Sequence, residues 1–179
     1  MNVCELKPEK VFKFFELISS VPHCSDNTDQ ISALCCKFAA ERGLDYIQDE
    51  VGNVIIRKSA TPGYEAHQTV ILQGHMDMVA VKTPESDIDL ERDGLRLKTD
   101  GEYLWADGTS LGADDGIAVA MIMALMDSDD IPHPPIEAII TINEETGMDG
   151  AVFLDTSVLK GRRMINIDSE DEGLSLIHI

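Results

Sequence analysis

The chain has 179 residues, 33 of them acidic and 14 basic, for a formal charge of −19 beside an apolar share of 44%. That apolar share is a globular rather than a disordered composition, and the length suffices for one domain with a sizeable core. The charge argues against nucleic acid and against anionic membrane surfaces, since no basic surface exists to replace their counterions.

Two helices open the sequence. Pro8 suits a first helical turn, and Val11, Phe14, Phe15 and Ile18 recur on one helical face until Pro22 breaks the segment. Thr28 is placed to cap a second helix with an apolar face of Ile31, Leu34, Cys35 and Phe38, stopped by Gly43. Residues 45–49 and 54–57 then read as short strands around a Gly52-Asn53 turn. The run 69–72 is β-branched and apolar, as expected of a central strand buried on both faces, and 139–142 and 164–167 repeat that character. The polar stretch 82–107 reads as a loop with a small hairpin at Asp100-Gly101. Residues 116–125 are apolar all round, which predicts a buried helix. Strands alternating with helices imply an α/β fold, a sheet with helices packed on it.

The longest apolar run, 117–126, is too short to span a bilayer, and the first residues show no basic stretch followed by an apolar core. The cysteines, Cys4, Cys24, Cys35 and Cys36, make neither a CxxC pair nor zinc-finger spacing and read as reduced, mostly buried thiols. A cytoplasmic protein is expected.

The polar residues that border the apolar elements carry the chemistry. The first central strand ends in Gly74-His75-Met76-Asp77, and Asp114-Asp115-Gly116 precedes the buried helix. The second strand ends in Asn143-Glu144-Glu145, and the third in Asp168, followed by Ser169-Glu170-Asp171-Glu172. In open α/β sheets ligands bind beyond the carboxyl ends of the strands, so these segments converge on one edge. A His-x-Asp or a Glu-Glu pair is commonplace alone; four such segments at the ends of the most apolar elements are not. Carboxylates crowded around an imidazole repel one another unless a cation sits among them. Mixed nitrogen and oxygen donors suit zinc, manganese or cobalt better than calcium. Asp77 lies two residues from His75 and so can hold its far nitrogen. Of Glu144 and Glu145, one can bind metal while the other serves as general base. The acids of 127–130 read as solvated, His67 and His133 as polar-loop residues, and His23 is ambiguous.

These four segments, in this order, resemble the M20 family of metallopeptidases, most closely its bacterial aminoacyl-histidine dipeptidases. The strings that carry the resemblance are Gln73-Gly74-His75-Met76-Asp77-Met78-Val79, Gly108-Thr109-Ser110-Leu111-Gly112-Ala113-Asp114-Asp115-Gly116-Ile117, Glu144-Glu145-Thr146-Gly147-Met148-Asp149-Gly150-Ala151 and Asn166-Ile167-Asp168-Ser169-Glu170-Asp171-Glu172-Gly173. The resemblance implies the N-terminal part (1–173) of a two-metal, aminopeptidase-like (phosphorylase/hydrolase-like) catalytic domain, a mixed sheet flanked by helices. It implies two divalent ions, zinc with cobalt or manganese as substitutes: Asp114 bridges them, His75 and Asp168 bind one and Glu145 the other. Asp77 orients His75, and Glu144 is the general base for water attack on a dipeptide, Xaa-His among them. Asp115 stands where the family often has Asn; related branches keep an acid only at the first of the two positions, which assigns the bridge to Asp114. A homodimeric full-length form also fits.

The family's later histidine ligand and its lid domain have no counterpart in this sequence. Residues 174–179 match nothing in the family at that place and equal the translation of a transposase adapter end used in sequencing libraries. The chain therefore reads as a truncated fragment, inactive by itself, with a non-native tail, and His178 is not the missing ligand. Other amide hydrolases of the family (aminoacylase, tripeptidase, deacylase) are the runner-up. A non-catalytic acidic domain that binds metal or a partner is the reading from a different class, and retention of both Glu144 and Glu145 argues against it.

Overall fold

A computed structural model describes residues 2–169 and 176–178. Six strands form one mixed sheet in the order β1 (Asp45–Gln48), β2 (Val54–Lys58), β6 (Ile136–Thr141), β3 (Val70–His75), β7 (Arg163–Asn166), β8 (Leu176–His178). Strands β6, β3 and β7 run parallel, and β1, β2 and β8 are antiparallel to their neighbours. A separate hairpin pairs β4 (Leu97–Thr99) with β5 (Leu104–Ala106), around the expected Asp100-Gly101 turn. The α/β class and mixed sheet expected from the sequence are what the chain adopts.

Helices α1 (Glu9–Ser19), α2 (Asp29–Glu41) and α3 (Ala113–Met126) share one core with the sheet face bearing Val54, Ile56, Ala138 and Ile140. The helical stripes explain the packing: Phe14 of α1 meets Phe38 of α2 edge to face at 5.3 Å, and Arg42 caps Phe38 at 3.9 Å from its ring centre. Helix α3 lies against both α1 and the sheet, which is why it is apolar all round. Its Gly116 lets Phe15 and Ile18 approach closely. On the opposite sheet face Glu137 of β6 accepts from the Lys160 and Gly161 amides, both at 2.8 Å, at the end of a segment that carries the short helices α4 (Glu144–Gly147) and α5 (Asp149–Phe153).

Several local expectations are corrected. Thr28 makes no side-chain cap on α2. Strand β6 is buried at every position, whereas β3 is partly accessible and β7 alternates, leaving Ile165 and Ile167 exposed. Apolarity alone did not distinguish a covered strand from one on the thinly covered side of the sheet. Asp127 is not simply solvated: Arg42 and Lys10 pair with it at 2.7 and 3.2 Å and tie the end of α3 to α1 and α2. His133 is buried in its loop, with Nδ1 against the Pro134 carbonyl at 2.7 Å. The four cysteines are free; burial pushes the Cys35 thiol far up, and the other three are half-buried. Among the described residues no helix is long and apolar enough to cross a membrane. The acids Glu170, Asp171 and Glu172 lie outside the described residues, as do Gly173 and 174–175 of the expected tail.

Candidate metal centre

Because β3, β6 and β7 run parallel, their carboxyl ends lie together. His75 closes β3, Glu144 follows β6 across Ile142 and Asn143, and Asp168 follows β7. The register is reinforced beside the site, where Asn166 donates from Nδ2 to Gln73 Oε1 and accepts from the Asp168 amide at 3.0 Å. The fourth segment arrives through a glycine. A Cβ at Gly74 would lie 3.1 Å from Ala118 Cβ and 2.9 Å from Asp115 Oδ2, so only glycine lets the start of α3 descend onto β3. Gly112, at φ 66°, turns the chain into that start.

The result is one imidazole nitrogen faced by three carboxylates. His75 Nε2 lies 3.1 Å from Asp114 Oδ1, 3.9 Å from Glu144 Oε2 and 4.0 Å from Asp168 Oδ2. Donor atoms of His75, Asp114 and Asp168 all fall within 4.8 Å of one another. Glu145 is not one of this trio but lies in the same field: burial and the charge of Asp114 raise its pKa. His75 is buried and its ring is fixed from behind, since Nδ1 faces the Asp77 main-chain carbonyl at 3.0 Å and the Asp77 carboxylate at 3.5 Å. The expected His75–Asp77 pairing is thus made mostly through backbone. Strand β3 has ended at His75, so the two residues do not share a strand face.

The Asp77 carboxylate has a second task. Fully buried, it accepts from the Ser25 hydroxyl at 2.8 Å and from the amides of Glu144 at 2.9 Å and Glu145 at 3.4 Å. Burial alone would raise its pKa, but His75 and these donors outweigh that and hold it low. Burial likewise opposes a charged imidazole, yet Asp77 and Asp115 lift His75 to about 9. Among the described residues, His75 supplies the only ion pairs to Asp114, Glu144 and Asp168.

Asp114 and Asp115 part company here. Asp114 projects, with its side chain 72% exposed, toward Nε2. Asp115 is buried, turns under β3 and accepts from the His75 amide at 3.3 Å. Burial, with Asp168 and Asp114 adding repulsion, pushes its pKa up to about 7. The donor set therefore fits a divalent cation, which would take the place of the imidazole proton: an imidazole with its far nitrogen satisfied and acids from separate segments facing the other, with no lysine or arginine paired to those acids among the described residues. His23 is buried against the Val21 carbonyl at 2.7 Å, outside the cluster, and His67 stacks beside Tyr64. Sequence reasoning gave no role to Ser25, in a segment read as a break, to Asn53, read as part of a turn, or to Asn143, read only as the end of a strand; small polar side chains are their one signal.

No family model matches the chain. It is 40% identical over 172 residues to the cytosol non-specific dipeptidase of Escherichia coli (strain K12), covering 96% of this chain and 36% of that protein. The crystal structure of aminoacylhistidine dipeptidase from Vibrio alginolyticus superposes with a TM-score of 0.93 at 42% identity, covering 97% of this chain and 35% of that one. An aminopeptidase, PepT, from Bacillus cereus matches with a TM-score of 0.77 at 25% identity, over 93% of this chain and 44% of that one. The first two bear out the resemblance read from the motifs. The chain spans little more than a third of their length.

Proposed function

We infer that this chain, which belongs with the aminoacylhistidine dipeptidases of the M20 metallopeptidase type, is part of a cytoplasmic, metal-dependent enzyme that hydrolyses dipeptides. The observation that carries this reading is the convergence of Asp114, Glu144 and Asp168 on His75 Nε2 at 3.1 to 4.0 Å. Residues 1–173 are read as the front part of the catalytic domain and 174–179 as a non-native tail. Zinc is the proposed ion, two per site, with cobalt or manganese accepting the same donors. His75 and Asp168 would hold one, Glu145 the other, and Asp114 both. Bound there, such ions polarise the scissile carbonyl and lower the pKa of water.

The chain's own residues supply the rest. Asp77 accepts from His75 Nδ1, so that Nε2 carries the free lone pair a ligand needs. Glu144 is assigned no ligand role, and its carboxylate, 3.9 Å from His75 Nε2, takes the proton of the attacking water and returns it to the leaving amine. The full-length form is proposed to be a homodimer. The experiment is Glu144→Ala in the complete protein. Hydrolysis of a histidine-containing dipeptide should fall by ~10²–10⁴-fold while metal content by mass spectrometry stays near wild type. Loss of metal together with activity would exchange the roles of Glu144 and Glu145; a wild type that binds metal but cleaves no dipeptide would sink the reading.

A further inference from the structure

Glu144 and Glu145 stand on α4, a helix of four residues, too short to fix its own place. Its position is imposed from outside. Asp77 takes the first two amides, as described. At the flanks, the buried Asn53 accepts from the Ile142 amide at 3.1 Å and donates to the Gly150 carbonyl at 2.8 Å, closing the loop at its base. The remaining hold is on Asn143, the residue that aims the chain into Glu144, and it comes from Asp26.

The two residues are 117 positions apart and bond reciprocally. The Asp26 amide donates to Asn143 Oδ1 at 2.8 Å, and Asn143 Nδ2 donates to Asp26 Oδ1 at 2.9 Å. Both have left-handed backbones, Asp26 at φ 64° and Asn143 at φ 50°, a conformation that non-glycine residues avoid, aspartate and asparagine least of all, unless their surroundings hold them in it. Each is therefore held where it is by the other. Asn143 is buried, so an unpaired side-chain amide there would carry a desolvation cost. Relaxation of Asn143 toward ordinary φ would re-aim the first residue of α4, and that residue is Glu144, now 3.9 Å from His75 Nε2.

We propose that Asp26 is a positioning residue for Glu144, acting through Asn143 and touching neither substrate nor metal. The proposal rests on the reading of Glu144 as the proton-transfer group. It differs from a plain tether of the 24–28 loop in what it predicts: a loss in the chemical step without a loss of fold, metal or substrate affinity.

The test uses Asp26→Gly and Asp26→Asn in the complete protein. Glycine accepts the left-handed backbone and removes only the carboxylate; asparagine keeps an oxygen to receive the Asn143 amide. Asp26→Gly should lower kcat ~10- to 100-fold, the scale of a misplaced catalytic group, with KM and metal content within about 2-fold of wild type. Asp26→Asn should restore kcat to within about 3-fold. In both the complete protein and the present chain, amide hydrogen exchange at Glu144 and Glu145 should be at least ~10-fold faster in Asp26→Gly while the β3 and β6 amides are unchanged. Unchanged kcat or unchanged exchange in Asp26→Gly would overturn the proposal, as would failure of asparagine to rescue or a parallel loss of metal. A wild type without dipeptidase activity would instead remove the functional reading, and the exchange result would still decide whether Asp26 sets the Glu144 turn.

Discussion

Replacing Asp77 by alanine removes one carboxylate and strips an acceptor from three donors at once. The Ser25 hydroxyl at 2.8 Å can turn to the Met78 carbonyl, already 3.5 Å away, so its loss is partly recovered. The Glu144 and Glu145 amides, at 2.9 and 3.4 Å, have no second acceptor within their own short helix. A buried donor left unsatisfied costs ~1–3 kcal/mol. The shorter bond, from half-buried Glu144, should count near the top of that range, and the longer, from exposed Glu145 where water can take over, near or below its bottom. Against this, removing a negative charge from beside other acids relieves repulsion. We therefore expect Asp77→Ala to destabilise the chain by ~2–4 kcal/mol and Asp77→Asn, which keeps one oxygen, by ~1–2 kcal/mol. Urea unfolding followed by circular dichroism at neutral pH measures both, with the m-value checking that the unfolded state is unchanged. The same variants should bind zinc more weakly, near the low end of the ~10–100-fold typical for such a partner, since the His75 ring loses the carboxylate at 3.5 Å but keeps the Asp77 main-chain carbonyl at 3.0 Å. An Asp77→Ala chain within about 0.5 kcal/mol of wild type would refute the reasoning, since alterations that touch no such feature stay in that range.

Asp114→Ala should abolish zinc uptake while leaving the unfolding midpoint nearly unchanged, because its side chain is exposed; Asp115→Asn should keep the metal, and the reverse pattern in a zinc titration would move the bridging role one residue along. Gly150→Ala should destabilise by ~1–3 kcal/mol, since its Cβ would sit 2.5 Å from both Asn53 Oδ1 and the Ile142 carbonyl, whereas Gly147→Ala, with nothing nearer than 3.8 Å, should be near neutral in the same urea assay. His23 is buried and its pKa is lowered chiefly by that burial. The unfolded chain thus binds this proton more readily, so stability is complete above about pH 6.5 and declines below it. His23→Gln should lose less stability than wild type between pH 7.5 and 5.5, and equal losses would show that the ring is not held neutral.

The elements and the candidate residues were legible in the amino-acid order alone. Helical stripes such as Val11, Phe14, Phe15 and Ile18 and the all-round apolar 116–125 record which faces are buried, because burial of a face imposes a local period. The acids and histidine beyond His75, Glu144 and Asp168 were legible for a related reason: a polar residue at the end of an apolar strand needs a partner, and strand ends are visible locally. What neighbours in sequence do once the chain folds was not. Nothing in Asp114-Asp115 separates an exposed acid from a buried one; the descent of α3 onto Gly74 does that, and it depends on β3 lying beneath. The pairing of Asp26 with Asn143, and of Asn53 with Ile142 and Gly150, joins segments whose nearness follows only from the strand order. Short polar side chains satisfy backbone groups wherever the tertiary structure brings them, with no period to announce it, so these contacts became visible only when the sheet was assembled.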